Sequence, residues 1–184
     1  MEMQEHLPEI TAEPFDRYKA ALSWWKSLQP EPTQKGDRAA LSRLRRATPL
    51  DAMAQEATLL LYRRLDYHNP VRLHRVATLA CILAHVREHT GAIKFANAIG
   101  RTSLADADSA LLKPLRFDRL KSAQSEDEIA RNFRRAVAML NGKANVYDLA
   151  RLILNFDKDE VKRSLIFNYY GAGIAAPNSR SSSV

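Results

Sequence analysis

The sequence has a single cysteine and no apolar run long enough to cross a bilayer. Cys81 lies among apolar residues, so we predict a buried thiol, and one cysteine excludes an internal disulfide. This cysteine usage fits a reducing cytoplasm. The longest apolar run, residues 76–86, is interrupted by Thr78 and His85 and is too short for a membrane span. The acidic N-terminus has no apolar run behind a basic start, so we expect no signal peptide and a cytoplasmic protein.

Catalytic signatures are also missing from the sequence. It contains no Ser-His-Asp or Cys-His arrangement and no glycine-rich loop that could cradle a phosphate. Residues 171–176 match G-x-G-x-x-A, but that dinucleotide-binding pattern needs a preceding strand and a following helix, and only eight residues follow. We therefore expect neither an enzyme nor a bound cofactor.

One short motif has a competing interpretation as a metal site. Residues 85–89 match H-x-x-E-H, a zinc-protease pattern that would place His85 and His89 one turn apart on a helix. The alternative is the last turn of a helix, where histidines interact favourably with the helix dipole. Because a lone short motif is weak support, we predict no metal site.

Strand-like alternation is absent outside the ambiguous residues 165–170, so we predict an all-α protein of about eight or nine helices. Asp37 caps a helix over 38–46, and Ser125 with Glu128 forms a capping box for a helix that reaches 140. Further helices are predicted over 14–28, 49–65, 71–89, 92–99, 106–113, 114–123 and 146–156, and Asp157 with Glu160 is predicted to cap the last one.

The predicted organisation is one compact unit with two small helical lobes. We expect a flexible arm over 1–13, an N-terminal lobe over 14–100, a C-terminal lobe over 101–170 and a disordered tail over 171–184. Trp24 and Trp25 stand side by side in the first helix. Helical spacing places Trp25 in the core and leaves Trp24 half exposed, so packing is favoured over base stacking.

Charge is the most informative feature that is present. Lysine and arginine number 28 against 21 acidic residues, a net charge of +7 that favours an anionic partner. On helix 38–46, Leu41 and Leu44 share one side and the arginines spread over the other. A second basic face lies on helix 125–140, beside basic residues of helix 114–123. The candidate residues on these faces are Arg38, Arg43, Arg45, Arg46, Arg116, Arg119, Lys121, Arg131, Arg134 and Arg135.

These faces favour contact with a nucleic-acid backbone, because rigidly held guanidinium groups match phosphate oxygens in charge and geometry. No helix has the composition of a base-reading recognition helix. The principal alternative is a helical adaptor whose arginines meet acidic protein surfaces, and a helix-turn-helix regulator is a third hypothesis.

The order and spacing of several segments resemble the CasB family, the small subunit of the type I-E CRISPR Cascade complex. The resemblance covers about residues 15–170. It rests on LSWWKSL at 22–28, GDRAAL at 36–41, LRR at 44–46, a central apolar helix, LRFDRL at 115–120, FRRAV at 133–137 and the closing helix at 157–170.

The resemblance implies a non-catalytic, all-helical subunit that lies as a head-to-tail pair inside a complex guided by crRNA. Its implied partners are crRNA, single-stranded DNA, the large and backbone subunits of Cascade and a second copy of itself, with no membrane. It would help to hold the crRNA and target strand and stabilise the displaced strand of the R-loop in antiviral defence. The family's basic path maps most directly onto Arg45 and Arg46. It extends to Arg116, Arg119, Arg131, Arg134 and Arg135, and to Lys158 and Lys162 of the last helix.

Overall fold

The computed structural model describes residues 15–106 and 108–172, and these form an all-α fold, as predicted. Ten α-helices lie in this part of the chain, one more than the upper expected number. They are α1 (Arg17–Leu28), α2 (Arg38–Arg46), α3 (Pro49–Ala52), α4 (Glu56–Arg64), α5 (Leu73–Leu83), α6 (Phe95–Ile99), α7 (Pro114–Lys121), α8 (Glu126–Met139), α9 (Val146–Leu154) and α10 (Asp159–Tyr169). A single 3₁₀ turn, Pro70–Arg72, precedes α5.

Helix α5 is the centre of the core. Its residues 76–83 are all buried, and it packs against α2, α3, α4, α8 and α9. Apolar side chains that surround a helix on all sides give the burial expected of a central core helix. The buried cluster contains residues from both predicted lobes, and α5 of the first lobe contacts α8 and α9 of the second. The division into two lobes at residue 101 stays a prediction.

The starts of α2 and α8, which depend on local capping, were predicted correctly. The Asp37 carboxylate accepts a hydrogen bond from the Ala40 N–H at 2.8 Å, and Ser125 and Glu128 form the predicted capping box of α8. Thr48 caps α3 in the same reciprocal way through Asp51. The predicted single helix 49–65 is nevertheless wrong, because Gln55 adopts an extended conformation and restarts the chain as α4. The break lets α3 pack on α8 while α4 packs on α1.

Helix α5 ends at Leu83, six residues before the predicted end at 89. Tertiary partners take the carbonyls that a longer helix would use: Arg45 Nε donates to the Ala84 oxygen at 2.7 Å, and Trp25 Nε1 donates to the Val86 oxygen at 3.2 Å. The chain then forms β1 (Glu88–His89), which pairs in parallel with β2 (Lys143–Ala144). The H-x-x-E-H residues therefore do not lie on one helical face.

The predicted helix over 106–113 is also wrong: no helix forms over the described residues 106 and 108–113. The backbone of this segment bonds to other parts of the molecule instead. The Leu112 N–H donates to the Ile99 oxygen at 2.9 Å, and the Tyr169 hydroxyl donates to the Leu112 oxygen at 2.6 Å. A segment whose backbone groups find tertiary partners has no need of helical hydrogen bonds.

Three smaller predictions need correction. Trp24 is only 1% exposed, not half exposed, because its indole N–H donates to the Ala57 oxygen in the core. The apolar residues of helix 114–123, Leu115, Phe117 and Leu120, are predicted to face inward, but Leu115 is 66% exposed at the start of α7. The N-cap of α10 is Lys158, with no side-chain capping bond, and not Asp157.

The terminal predictions fall largely outside the described residues. The arm over 1–13 and most of the tail lie there, but the predicted start of the first helix at Pro14 is wrong, because residues 15 and 16 are not helical. Within the description, α1 begins at Arg17 behind Asp16, whose carboxylate caps it. Gly171 follows α10 with a φ of 66°, a left-handed conformation that favours glycine after a helix.

Candidate nucleic-acid interface

Helix α2 presents its arginines to solvent as predicted, and two of them are fixed by hydrogen bonds. Ala40, Leu41 and Leu44 are buried, whereas all four arginines are exposed. Arg45 is held by its bond to the Ala84 oxygen at the end of α5. Arg46 bonds to the Ser42 hydroxyl through Nη2 at 2.7 Å, one turn earlier in the same helix. These bonds order both side chains before any partner binds.

Arg134 has a structural contact that its neighbours on α8 lack. Its Nη2 donates to the Ala47 oxygen at 2.7 Å and to the Leu44 oxygen at 3.3 Å, at the C-terminal end of α2. A cation at this end also complements the helix dipole. Arg134 thus fastens α8 to α2. Its half-buried side chain has a structural role, whereas Arg131 and Arg135 are exposed to solvent.

The remaining α8 arginines meet those of α7 in one groove. Arg116 and Arg119 contribute from α7, and Arg135 contributes from α8, to a depression of about 410 Å³. A contiguous depression of about 290 Å³ shares Arg119 and Arg135 and adds Arg131. We call the two together the arginine groove. Asn132 lines both parts, and its side-chain amide donates to the Arg119 oxygen at 3.0 Å, which joins α8 to α7.

The arginine groove carries a net positive charge. Glu128 is its only acidic lining residue in the described part of the chain. The backbone N–H of Gln124 and that of Ser125 lower the pKa of Glu128, so this carboxylate is committed to capping α8. Four arginines therefore line a groove whose one carboxylate already accepts hydrogen bonds from the backbone at the start of α8.

Lys121, Lys158 and Lys162 do not line the groove. Lys121 forms an ion pair with Asp118 at 2.8 Å, and this hydrogen bond raises the pKa of Lys121. Lys158 is exposed between two aspartates, and Lys162 Nζ lies 5.3 Å from the centroid of the Phe156 ring. The structure does not bring these lysines together with the α7 and α8 arginines.

Helix α8 connects the two basic faces. It contacts α7 on one side and α3 on another, and Arg134 reaches the end of α2. Arg134 binds the carbonyls of Leu44 and Ala47, and Arg45 and Arg46 lie between these two residues in the sequence. The backbone at the end of α2, which carries Arg45 and Arg46, is thus bonded to the same helix that supplies Arg131 and Arg135 to the groove.

Sequence reasoning missed several residues beside the basic faces. Arg64 of α4 lines a small cavity of about 150 Å³ together with Arg43, which therefore lies beside α4. Asn132 and Met139 line the arginine groove. A helical wheel places Asn132 about 60° from Arg135, but it does not show the bond of Asn132 to α7.

The pKa values of two half-buried histidines are lowered. Burial has the largest effect and lowers the pKa of His85, and the charge of Arg134 lowers this pKa further. The charges of Arg45 and Arg87 act in the same direction. Burial, followed by Lys26, lowers the pKa of His89, whose Nδ1 accepts a hydrogen bond from the Val146 N–H at 3.1 Å. No cluster of three metal-ligating side chains occurs in residues 15–106 and 108–172.

These lowered pKa values predict that the folded state loses stability in mild acid. The unfolded chain takes up protons at these histidines first, so stability is present above about pH 6.5 and falls as the pH drops below it. Thermal melts from about pH 7.5 to 5.5 should show this decline in stability. His85→Gln should reduce the decline to the part that His89 contributes. Substitution of the exposed His68 by glutamine is the matched control. An unchanged pH profile in the His85 variant would contradict the prediction.

Comparison with known proteins decides the family. The model of the family described as CRISPR-associated protein Cse2 matches residues 37–170, from the N-cap of α2 to the end of α10. The chain belongs to the Cse2 family. This is the CasB family of the resemblance above, and a Cse2-family chain is a subunit of a CRISPR Cascade complex. The tryptophans of α1 precede the matched region.

The Cse2 family is one of structural, generally non-catalytic subunits. No curated protein and no solved structure matches this Cse2-family chain. Across the described residues, none of its helices combines the length and apolar character that a membrane crossing requires.

Proposed function

We propose that this Cascade subunit binds the sugar-phosphate backbone of single-stranded nucleic acid through the arginine groove and the arginines at the end of α2. The observation that carries the proposal is the convergence of Arg116, Arg119, Arg131 and Arg135 around one groove with a single, already committed carboxylate. The packed helices α7 and α8 fix the positions from which these four side chains extend, so less conformational entropy is lost on contact than for arginines on a flexible segment.

The path extends from the groove to Arg45 and Arg46 along α8. Both residues are exposed at the end of α2, which Arg134 fastens to α8. A backbone that follows this surface would meet charges on three helices without needing a base-specific contact. This arrangement supports sequence-independent binding.

Within a cytoplasmic Cascade, the ligands of this surface are crRNA and single-stranded DNA. R-loop formation exchanges one duplex for another of similar stability, so modest contacts with the freed strand are enough to shift the balance. The subunit's role is thus to hold the crRNA and target strand and to stabilise the displaced strand. In this proposal it does so beside the large and backbone subunits and a second copy of itself.

Titration of the purified protein with labelled single-stranded DNA at several salt concentrations tests this function. Each phosphate contact contributes a slope of about −0.7 in log K against log salt, so the four groove arginines predict about −2.8, and Arg45 and Arg46 add up to about −1.4. Strands of unrelated sequence should give similar affinities. Binding that requires another Cascade protein and ignores added polynucleotide would instead support an adaptor for acidic protein surfaces. Protection of one duplex sequence would support a helix-turn-helix regulator.

A further inference from the structure

The arginine groove is lined by three apolar residues in addition to its arginines, and we call these three residues the apolar floor and the arginines the charged rim. Leu112, Ala138 and Met139 line the same 410 Å³ depression as the arginines. Leu112 is buried, Met139 is half buried and Ala138 is exposed on α8. This volume lies within the range typical of pockets that hold small molecules.

Phosphate binding alone does not account for the floor. A phosphate gains its binding energy from charge and hydrogen bonds, and an apolar surface beneath it offers neither. A nucleobase, in contrast, has a flat face that binds well against apolar or cationic planar groups. The combination of charged rim and apolar floor matches a whole nucleotide better than it matches a phosphate.

A lining with both arginines and apolar residues would favour a single strand over a duplex. Bases in a duplex are stacked inside the helix, so a duplex lying across the rim would present only its backbone to the arginines. A single strand can turn one base out of the stack, at a modest energetic cost that is lowest for unpaired bases. The floor would then be covered by that base.

The groove offers two kinds of surface to an inserted base, although none of its described lining residues is aromatic. Guanidinium planes stack on bases, and the polarisable sulfur of methionine makes favourable contacts with aromatic rings. Arg116 Nη1 lies 3.9 Å from Met139 Sδ, so the guanidinium is placed beside the floor.

We infer that the arginine groove accepts one unstacked base of a single strand on the floor formed by Leu112, Ala138 and Met139. The adjoining phosphates contact Arg119, Arg131 and Arg135. This inference rests on the proposed function, and it adds that the groove binds nucleotides with their bases and is selective for single strands.

The test compares two labelled ligands with the same number of phosphates: an oligothymidylate, and an oligomer of abasic deoxyribose phosphates. The full-length protein should bind the abasic oligomer about fivefold more weakly, near the lower limit of base-stacking contributions. Ala138→Leu should fill the floor without changing charge and reduce the difference between the ligands to less than about twofold. Ala54→Leu, at an exposed position outside the groove, is the matched control, and circular dichroism confirms folding of both variants.

Each outcome of this comparison either supports base insertion or overturns it. Equal, salt-dependent affinities of the native protein for both ligands would overturn base insertion while leaving the proposed function intact. A preference for oligothymidylate that survives Ala138→Leu would place the base elsewhere and also overturn the inference. If neither ligand binds, the proposed function fails and base insertion fails with it. Loss of the preference only in the Ala138 variant supports the inference.

Discussion

Replacing Arg119 and Arg135 together by alanine is expected to weaken single-strand binding by about thirtyfold. Both residues line the two parts of the arginine groove, one from α7 and one from α8. Each exposed charge-assisted contact contributes roughly 1 kcal/mol, and about 1.4 kcal/mol corresponds to a tenfold change in affinity. The salt slope should also decrease by about 1.4, since each lost phosphate contact removes about 0.7.

The control removes the same charge from a different surface. Arg63 on α4 and Arg72 in the turn before α5 are exposed and do not line the groove. The double alanine variant at these positions should reduce affinity only slightly, through its smaller net charge. If both double variants lose affinity equally, general electrostatic attraction explains the binding and the groove has no special role.

The second large effect is expected on stability and concerns Arg134. Its alanine variant loses the hydrogen bonds to the Leu44 and Ala47 carbonyls and leaves the end of α2 without its cation. Hydrogen bonds from charged groups contribute about 1.5–3 kcal/mol, so we expect the free energy of unfolding to fall by about 2 kcal/mol. For a chain of this size, the melting temperature should fall by roughly 4–8 °C.

Arg135→Ala is the matched control for this measurement, because it removes the same side chain from the next position of α8. Arg135 is exposed, so its substitution should change the free energy of unfolding by less than about 0.5 kcal/mol while weakening single-strand binding. Denaturant titrations and strand binding, measured on both variants, separate the two roles. Equal stability of the two variants would show that the Arg134 contact does not fasten α8 to α2.

The comparison of these neighbouring arginines also shows what sequence patterns can and cannot predict. On a helical wheel Arg134 and Arg135 both lie opposite the apolar stripe of α8, and both were predicted to be surface cations. The carbonyls at the end of α2, which Arg134 reaches and Arg135 does not, distinguish them, and that contact joins residues about 90 positions apart. Helical periodicity describes which face is apolar, but it does not identify the neighbours of the polar face.

Local signals predicted the starts of helices better than their ends. Asp37, Thr48 and Ser125 each bind backbone N–H groups within three residues, so their capping is encoded locally. The end of α5 depends on Arg45 and Trp25, which donate to its following carbonyls from distant parts of the chain. Contacts of this kind override helix propensity and cannot be read from the segment itself.

The same distinction applies to the arginine groove. Its arginines were recognised as basic residues of two helices, but their convergence depends on how α7 packs on α8, including the bond from Asn132 to the Arg119 oxygen. The apolar floor was not predicted, since Leu112 belongs to a segment that was expected to be helical and is irregular. Family membership supplied the biological setting, and the structure brought the candidate residues together.

The central claim is that this subunit stabilises the displaced strand of an R-loop through the arginine groove. The most direct test is the lifetime of the R-loop formed by Cascade reconstituted with guide RNA and target DNA. Complexes that contain the Arg119→Ala, Arg135→Ala variant should lose the R-loop markedly faster than native complexes, and those without the subunit faster still. The Arg63→Ala, Arg72→Ala complex should resemble the native one. Identical R-loop lifetimes in all these complexes would contradict the account.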